Sequence, residues 1–371
     1  MKIADFKLEV FFNQYEFSAP HLLAQSDCES MTVRELLALE EGAAEKFQEC
    51  WLGYTEVEGG LALRREIAGL YESLGPEDIL VHVGAQEAIF ADMNVVLEPG
   101  DHVICQFPTY QSLYEVARAI GCSLSRWELR QGEGGWQADV DELAGLIRPE
   151  TRLIIVNSPN NPTGYELNAE ERQVIVEIAR KAGIAVFSDE VYKGLAYTGE
   201  RLPWFADLYE NAVSLGVMSK AYGLAGLRVG WVATRNRELY EKMARFKHYL
   251  TICGSAPSEF LATLALRHGP SLLARNLEII QANLEESDRF FAQHAPLFQY
   301  NRPLAGPIAF HRVNAPVEDF CSDLRKAKGV LLLPGSVYDY PGNYFRMGYG
   351  RRDFRTCLGL LQEYLAERGL G

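Results

Sequence analysis

Ser219-Lys220-Ala221-Tyr222-Gly223-Leu224-Ala225-Gly226-Leu227-Arg228 joins a lysine to an arginine through small residues, directly after an apolar run at residues 213–217. Taken alone, a serine–lysine pair before glycines is a surface turn, because lysine is usually solvated and glycine commonly makes turns. The sequence on either side gives it another meaning. Short runs rich in valine and isoleucine recur at residues 79–83, 102–106, 153–157, 185–188, 213–217 and 229–233, bounded by glycine, proline or polar residues. Between them, residues 110–120, 139–147 and 169–182 carry apolar positions at helical spacing, with Gly121 and Gly183 placed as C-terminal stops.

This alternation predicts an α/β fold, a mostly parallel central sheet covered by helices. Residues 131–135 are polar and glycine-rich and read as a surface connection. After residue 256 the pattern changes to long helices at 258–267 and 272–292, then short strands at 308–312 and 330–333. A smaller α+β domain is expected there. The division expected is an N-terminal arm with part of the small domain at 1–47, a large domain at 48–275 and the rest of the small domain at 276–371.

Ligands of parallel sheets gather beyond the carboxyl ends of the strands, and the unusual motifs lie at those ends. Asn157-Ser158-Pro159-Asn160-Asn161-Pro162-Thr163-Gly164 reads locally as two successive turns. Ser188-Asp189-Glu190-Val191-Tyr192 closes another strand with a carboxylate. Val83-Gly84-Ala85-Gln86 joins a strand to a helix, so the backbone amides of Ala85 and Gln86 face any anion at the helix start. Phe107-Pro108-Thr109-Tyr110 follows a further strand, and Tyr344-Phe345-Arg346-Met347-Gly348 sets an arginine in an apolar run, where leaving it unpaired is costly.

In this order the motifs resemble those of the fold type I, pyridoxal phosphate (PLP)-dependent aminotransferases of the class I and II group, from about Tyr54 to Arg346. The resemblance implies that Lys220 holds PLP as a Schiff base and carries the proton between Cα and the cofactor carbon. It assigns Asp189 to the pyridine nitrogen, and Asn161 and Tyr192 to the phenolic oxygen. Tyr110 would stack on the ring, and Gly84, Ala85, Gln86, Ser219 and Arg228 would hold the phosphate. Arg346, with Asn161, would bind the substrate α-carboxylate. Tyr54, in Leu52-Gly53-Tyr54, would reach the phosphate of a neighbouring subunit, which implies a homodimer with shared sites. One departure stands out: many relatives have a phosphate-binding serine three residues before the lysine, where this chain has Val217.

A chain of 371 residues with 48% hydrophobic content buries a large core, and a net charge of −14 argues against a nucleic-acid partner. The seven cysteines are scattered with no Cys-x-x-Cys pair and the histidines are dispersed, so neither a disulfide framework nor a metal site is indicated. The N-terminal residues alternate charged and apolar side chains unlike a signal peptide, and no run is long and apolar enough to cross a membrane; a cytoplasmic location is expected.

The activity implied is transamination between an α-amino acid and a 2-oxo acid. Residues 221–228 with His248-Tyr249-Leu250-Thr251 also resemble the capreomycidine synthases, relatives that cyclise a hydroxylated arginine, so a lyase or cyclase acting on an arginine-like substrate is the alternative. A third reading, a non-catalytic regulator with an amino-acid pocket, usually goes with a fused DNA-binding domain. Glu16, Asp27 and Glu29 are read as surface acids, with a contact to a cationic substrate side chain as the other possibility.

Overall fold

The computed structural model describes residues 2–132, 134–199 and 201–370. Seven strands form the large sheet: β1 Ile79–His82, β2 His102–Phe107, β3 Ser123–Glu128, β4 Thr151–Asn157, β5 Ala185–Asp189, β6 Ala212–Val217 and β7 Gly230–Ala233. Their spatial order is β1-β7-β6-β5-β4-β2-β3. The pairs from β6 through β3 are parallel, and β7 runs antiparallel to both of its neighbours. The chain therefore has the α/β architecture expected from its alternating pattern.

Six of the strands are the apolar runs of the sequence, buried along nearly their whole length because helices cover both faces. The seventh, β3, has no such run. It lies at the sheet edge with only Ser125 and Trp127 buried, so its solvent-facing positions are polar and its pattern is weak. Helix Ala169–Ala182 starts with a reciprocal cap between Asn168 and Glu171 and stops at Gly183, whose φ of 68° is disfavoured for other residues. The connection expected at 131–135 is the tip of a hairpin between Arg130–Gly132 and Gly135–Gln137, and its Glu133 lies outside the described residues.

A second, antiparallel sheet contains β8 Phe298–Gln299, β9 Ile308–Val313, β10 Leu333–Pro334 and β11 Tyr344–Gly348 in the order β8-β9-β11-β10. The single strand expected at 330–333 is two. Val330–Leu331 pairs with His21–Leu22 of the N-terminal arm, and Leu333–Pro334 pairs with β11. The arm then continues across the end of β11, where the Gly348 amide donates to the Leu23 carbonyl at 2.7 Å. A methyl group on Gly348 would lie 2.0 Å from the Gln25 carbonyl oxygen, so only glycine permits this approach. Residues 24–28 are thereby fixed between the small sheet and the Lys220 loop, where the Cys28 amide donates to the Lys220 carbonyl at 3.4 Å.

Candidate active site

The carboxyl ends of β4, β5 and β6 bring Asn161, Asp189, Tyr192 and Lys220 close together, and β11 adds Arg346 from the small sheet. Lys220 is partly buried, and its ammonium group donates to Ser26 Oγ at 2.9 Å. Desolvation lowers its pKa below the usual lysine range, opposed by the negative charge of Asp27. A neutral amine is therefore more accessible here than on the surface.

Asp189 is buried, and burial pushes its pKa up to about 7, while the Val191 amide and the Lys220 charge pull it down. Its Oδ1 accepts from the Val191 amide at 3.3 Å, and it has no ion-pair partner among the described residues. The next residue points the other way, as alternation along a strand requires. Glu190 turns to the helix side, where Arg172 Nη1 donates to it at 2.9 Å and Ser214 Oγ at 2.6 Å.

Asn157 braces the neighbouring turn. Its amide donates to the Asp189 carbonyl at 3.0 Å and its Oδ1 accepts from the Asn161 backbone amide at 2.6 Å. Asn161 in turn presents Oδ1 to Tyr338 at 2.8 Å and to Arg346 Nη1 at 3.2 Å. Arg346 is 1% exposed, and Nε and Nη2 both donate to the Ala24 carbonyl, at 3.0 and 2.7 Å. It also donates to the Tyr338 hydroxyl, and its guanidinium lies 5.5 Å from the Phe12 ring centre. Among the described residues no carboxylate pairs with it. Every hydrogen bond it donates is to a neutral oxygen, which leaves its charge without a counter-ion.

At the other end of the site Gly84 and Arg228 meet. A methyl group on Gly84, whose φ is 83°, would lie 2.4 Å from Arg228 Nη2, and one on Gly230 would lie 2.9 Å from the Ala85 amide nitrogen. The glycines leave room for the guanidinium beside the start of helix Ala85–Val96, whose first amides have no helical carbonyl to serve. Gln86 contributes only its backbone there, because its side chain donates to Ser112 at 2.6 Å. Val217 is buried in the apolar core under the sheet, and Ser219 is partly buried beside Lys220.

Tyr110 joins the same region: burial raises its pKa, and the charges of Glu9 and Asp189 act in the same direction. Its hydroxyl donates to Glu9 Oε1 at 3.2 Å, and its ring packs on Phe6 with centres 5.0 Å apart. Tyr54 is elsewhere, 85% exposed, in a segment that also displays Trp51 and Leu52.

The sequence reading missed Ser26, Tyr338, Phe12 and Glu9. The first and the last two lie in an arm with no motif of its own; Tyr338 follows Pro334-Gly335-Ser336, whose spacing to Arg346 was the available signal. Of the three acids singled out, Asp27 is held by Arg351 at 2.8 and 3.0 Å, Glu16 accepts from Gln25 at 2.9 Å, and Glu29 accepts from the Arg352 amide at 2.9 Å.

PLP fits the residues present. The Tyr192 hydroxyl is buried and meets no partner with hydrogen-bond geometry, although Ser26 is near enough to lower its pKa. A phenolic oxygen would satisfy it. The buried, unpaired Asp189 suits a protonated ring nitrogen, and the cradle of Gly84, Ala85 and Arg228 suits a phosphate.

Fold and site together define a PLP-dependent enzyme of amino acids. The chain belongs to the aminotransferase class I and II family, whose model matches residues 22–366. A solved PLP-dependent aminotransferase from Streptococcus suis is 34% identical with a TM-score of 0.93, over 99% of both chains. Capreomycidine synthase from Streptomyces vinaceus is 29% identical over 98% of this chain and 94% of its own. The PLP-dependent cyclase OrfR is 29% identical with a TM-score of 0.91, over 99% of this chain and 98% of its own.

Proposed function

We propose that this enzyme is an aminotransferase that moves the amino group of an α-amino acid to a 2-oxo acid, with Lys220 as the cofactor lysine. The observation that carries the reading is a buried Arg346 without a counter-ion, close enough to Lys220 for its charge to act there, as that of Asp189 does. A fixed guanidinium fork of this kind takes a carboxylate through two parallel hydrogen bonds. Arg346 and Asn161 would hold the substrate α-carboxylate and so direct the Cα–H bond toward Lys220.

Bound PLP supplies the electron sink for the Cα carbanion. Asp189 keeps the proton on the ring nitrogen, and Tyr192 and Asn161 donate to the phenolic oxygen. Lys220 Nζ would be the base that takes the Cα proton; its lowered pKa favours the neutral amine this needs. Ser26 orients that amine. Tyr110 covers the ring, and Ser219, Arg228 and the amides of Gly84, Ala85 and Gln86 hold the phosphate, with Val217 adding nothing polar.

Trp51, Leu52 and Tyr54 expose large apolar side chains within four consecutive residues, as interface segments do. This supports a homodimer in which Tyr54 reaches the partner's phosphate. The 48–275 segment is read as the cofactor domain, with 1–47 and 276–371 closing over the substrate. Among the described residues no helix is long and apolar enough to cross a membrane, and a cytoplasmic enzyme is proposed.

A second reading, a lyase or cyclase acting on arginine or a hydroxylated arginine, is supported by the full-length similarity to capreomycidine synthase and to OrfR. Absorbance spectra of the PLP-loaded protein with individual amino acids, paired with oxo acid and ammonia assays, separate the two. Conversion to the pyridoxamine form with matching oxo acid, reversed by a second oxo acid, is the outcome expected of transamination. Ammonia or a cyclised product without oxo acid would replace it with the second reading.

A further inference from the structure

The helix Lys7–Tyr15 packs against Arg346 through Phe12 and is fixed at several points. Lys7 forms an ion pair with Asp339, its backbone amide donates to Gln111 Oε1 at 2.9 Å, and the Arg325 guanidinium lies 4.1 Å from the Tyr15 ring centre. Phe12 is buried against the Arg346 guanidinium. Glu9 precedes Phe12 by three residues, which puts both on one helix face, about 4.5 Å apart along the axis. Glu9 itself is exposed, and its carboxylate accepts from Tyr110 at 3.2 Å.

Glu9 thus stands between the arginine assigned to the α-carboxylate and the tyrosine assigned to the cofactor ring. Its charge is also felt at Lys220 and at Tyr338. The nearby charges are committed elsewhere: Lys7 to Asp339, and Asp27 to Arg351. Among the described residues, no cation forms an ion pair with Glu9. Arg346 therefore offers one fixed cation for the α-carboxylate, and Glu9, one helical turn from the Phe12 that packs on it, offers an anion with no ion-pair partner.

We propose that Glu9 selects the substrate side chain, taking the distal cationic group of a basic α-amino acid whose carboxylate lies on Arg346. The inference rests on the functional reading above for the placement of the α-carboxylate and the cofactor. It adds the class of substrate and the residue that reads it. An acidic side chain is repelled at this position, and a neutral one leaves the carboxylate without an ionic partner.

The test is a calorimetric titration of full-length, PLP-loaded Lys220→Ala protein with L-arginine, L-norleucine and L-glutamate, with and without Glu9→Gln. Removing the lysine lets binding be read without turnover. The preference for L-arginine over L-norleucine is expected to fall about 10- to 100-fold with Glu9→Gln, the range for hydrogen bonds to a charged partner. Glu9→Lys should move the preference toward L-glutamate. A preference that changes less than about threefold in both variants, or an original protein that binds L-glutamate best, overturns the proposal. Absence of oxo acid from the Lys220 enzyme would overturn transamination while leaving this binding preference measurable, so the two failures are distinguishable. Failure of PLP to bind at all overturns both.

Discussion

Arg172 and Arg346 are both almost fully buried, yet their surroundings are opposite. Arg172 is saturated: Nη1 donates to Glu190 at 2.9 Å, Nε to the Leu167 carbonyl at 3.0 Å and Nη2 to Ser158 at 3.2 Å. Arg346 donates to carbonyl, amide and hydroxyl oxygens and meets no carboxylate among the described residues. A buried ion pair with its hydrogen bonds satisfied is a structural element, whereas a buried guanidinium without a counter-ion suits the substrate carboxylate proposed for it. The same division separates Glu190, paired on the helix side, from Asp189, unpaired on the opposite side.

The most severe way to break this comparison is Glu190→Ala, which leaves Arg172 buried and unpaired. Urea unfolding should show a loss of about 3–5 kcal/mol. Arg346→Lys should do the reverse, leaving the unfolding midpoint nearly unchanged while lowering kcat/KM about 30-fold, or about 2 kcal/mol, because a lysine keeps the charge and loses the fork. Equal stability losses in the two variants would erase the distinction.

Asp189 sharpens it through pH. In the cofactor-free protein its pKa is about 7, above the usual aspartate value of about 4 in the unfolded chain. Between those values the folded state holds a proton that the unfolded state has released, so this group's contribution to stability is lost as pH rises from about 4 to about 7. The difference in unfolding free energy between the original protein and Asp189→Asn should therefore shift by on the order of 4 kcal/mol over that window, and PLP binding near pH 6 should release a proton. A difference independent of pH would mean that Asp189 is not isolated from compensating charge. The smallest expected effect is that of Tyr338→Phe, which removes one hydroxyl contact from Arg346 and Asn161 and should cost about 1 kcal/mol, near fivefold, in kcat/KM.

The two arginines also show what a sequence reveals. The proposed cofactor end was legible because Lys220, Asp189 and Asn161 each stand at or just beyond the end of an apolar strand, so the motifs are local in sequence. The core strands were legible for the same reason, and β3 was not, because an edge strand has too few buried positions to stand out. The substrate end is assembled from distant parts of the chain: Arg346 and the Ala24 carbonyl are 322 residues apart, and Lys220 and Ser26 are 194 apart. Contacts of that separation leave no spacing to read. Glu9 illustrates the limit, since its position beside the proposed site follows from the packing of Phe12 on Arg346 and from no motif.

The central claim, that the strand-end cluster holds PLP on Lys220, is tested most directly by borohydride reduction of the PLP-loaded protein followed by peptide mass mapping. The account predicts a phosphopyridoxyl group on the peptide containing Lys220, lost in Lys220→Ala. A stoichiometric label on a different lysine, or no reducible adduct in a protein that binds PLP, would contradict it.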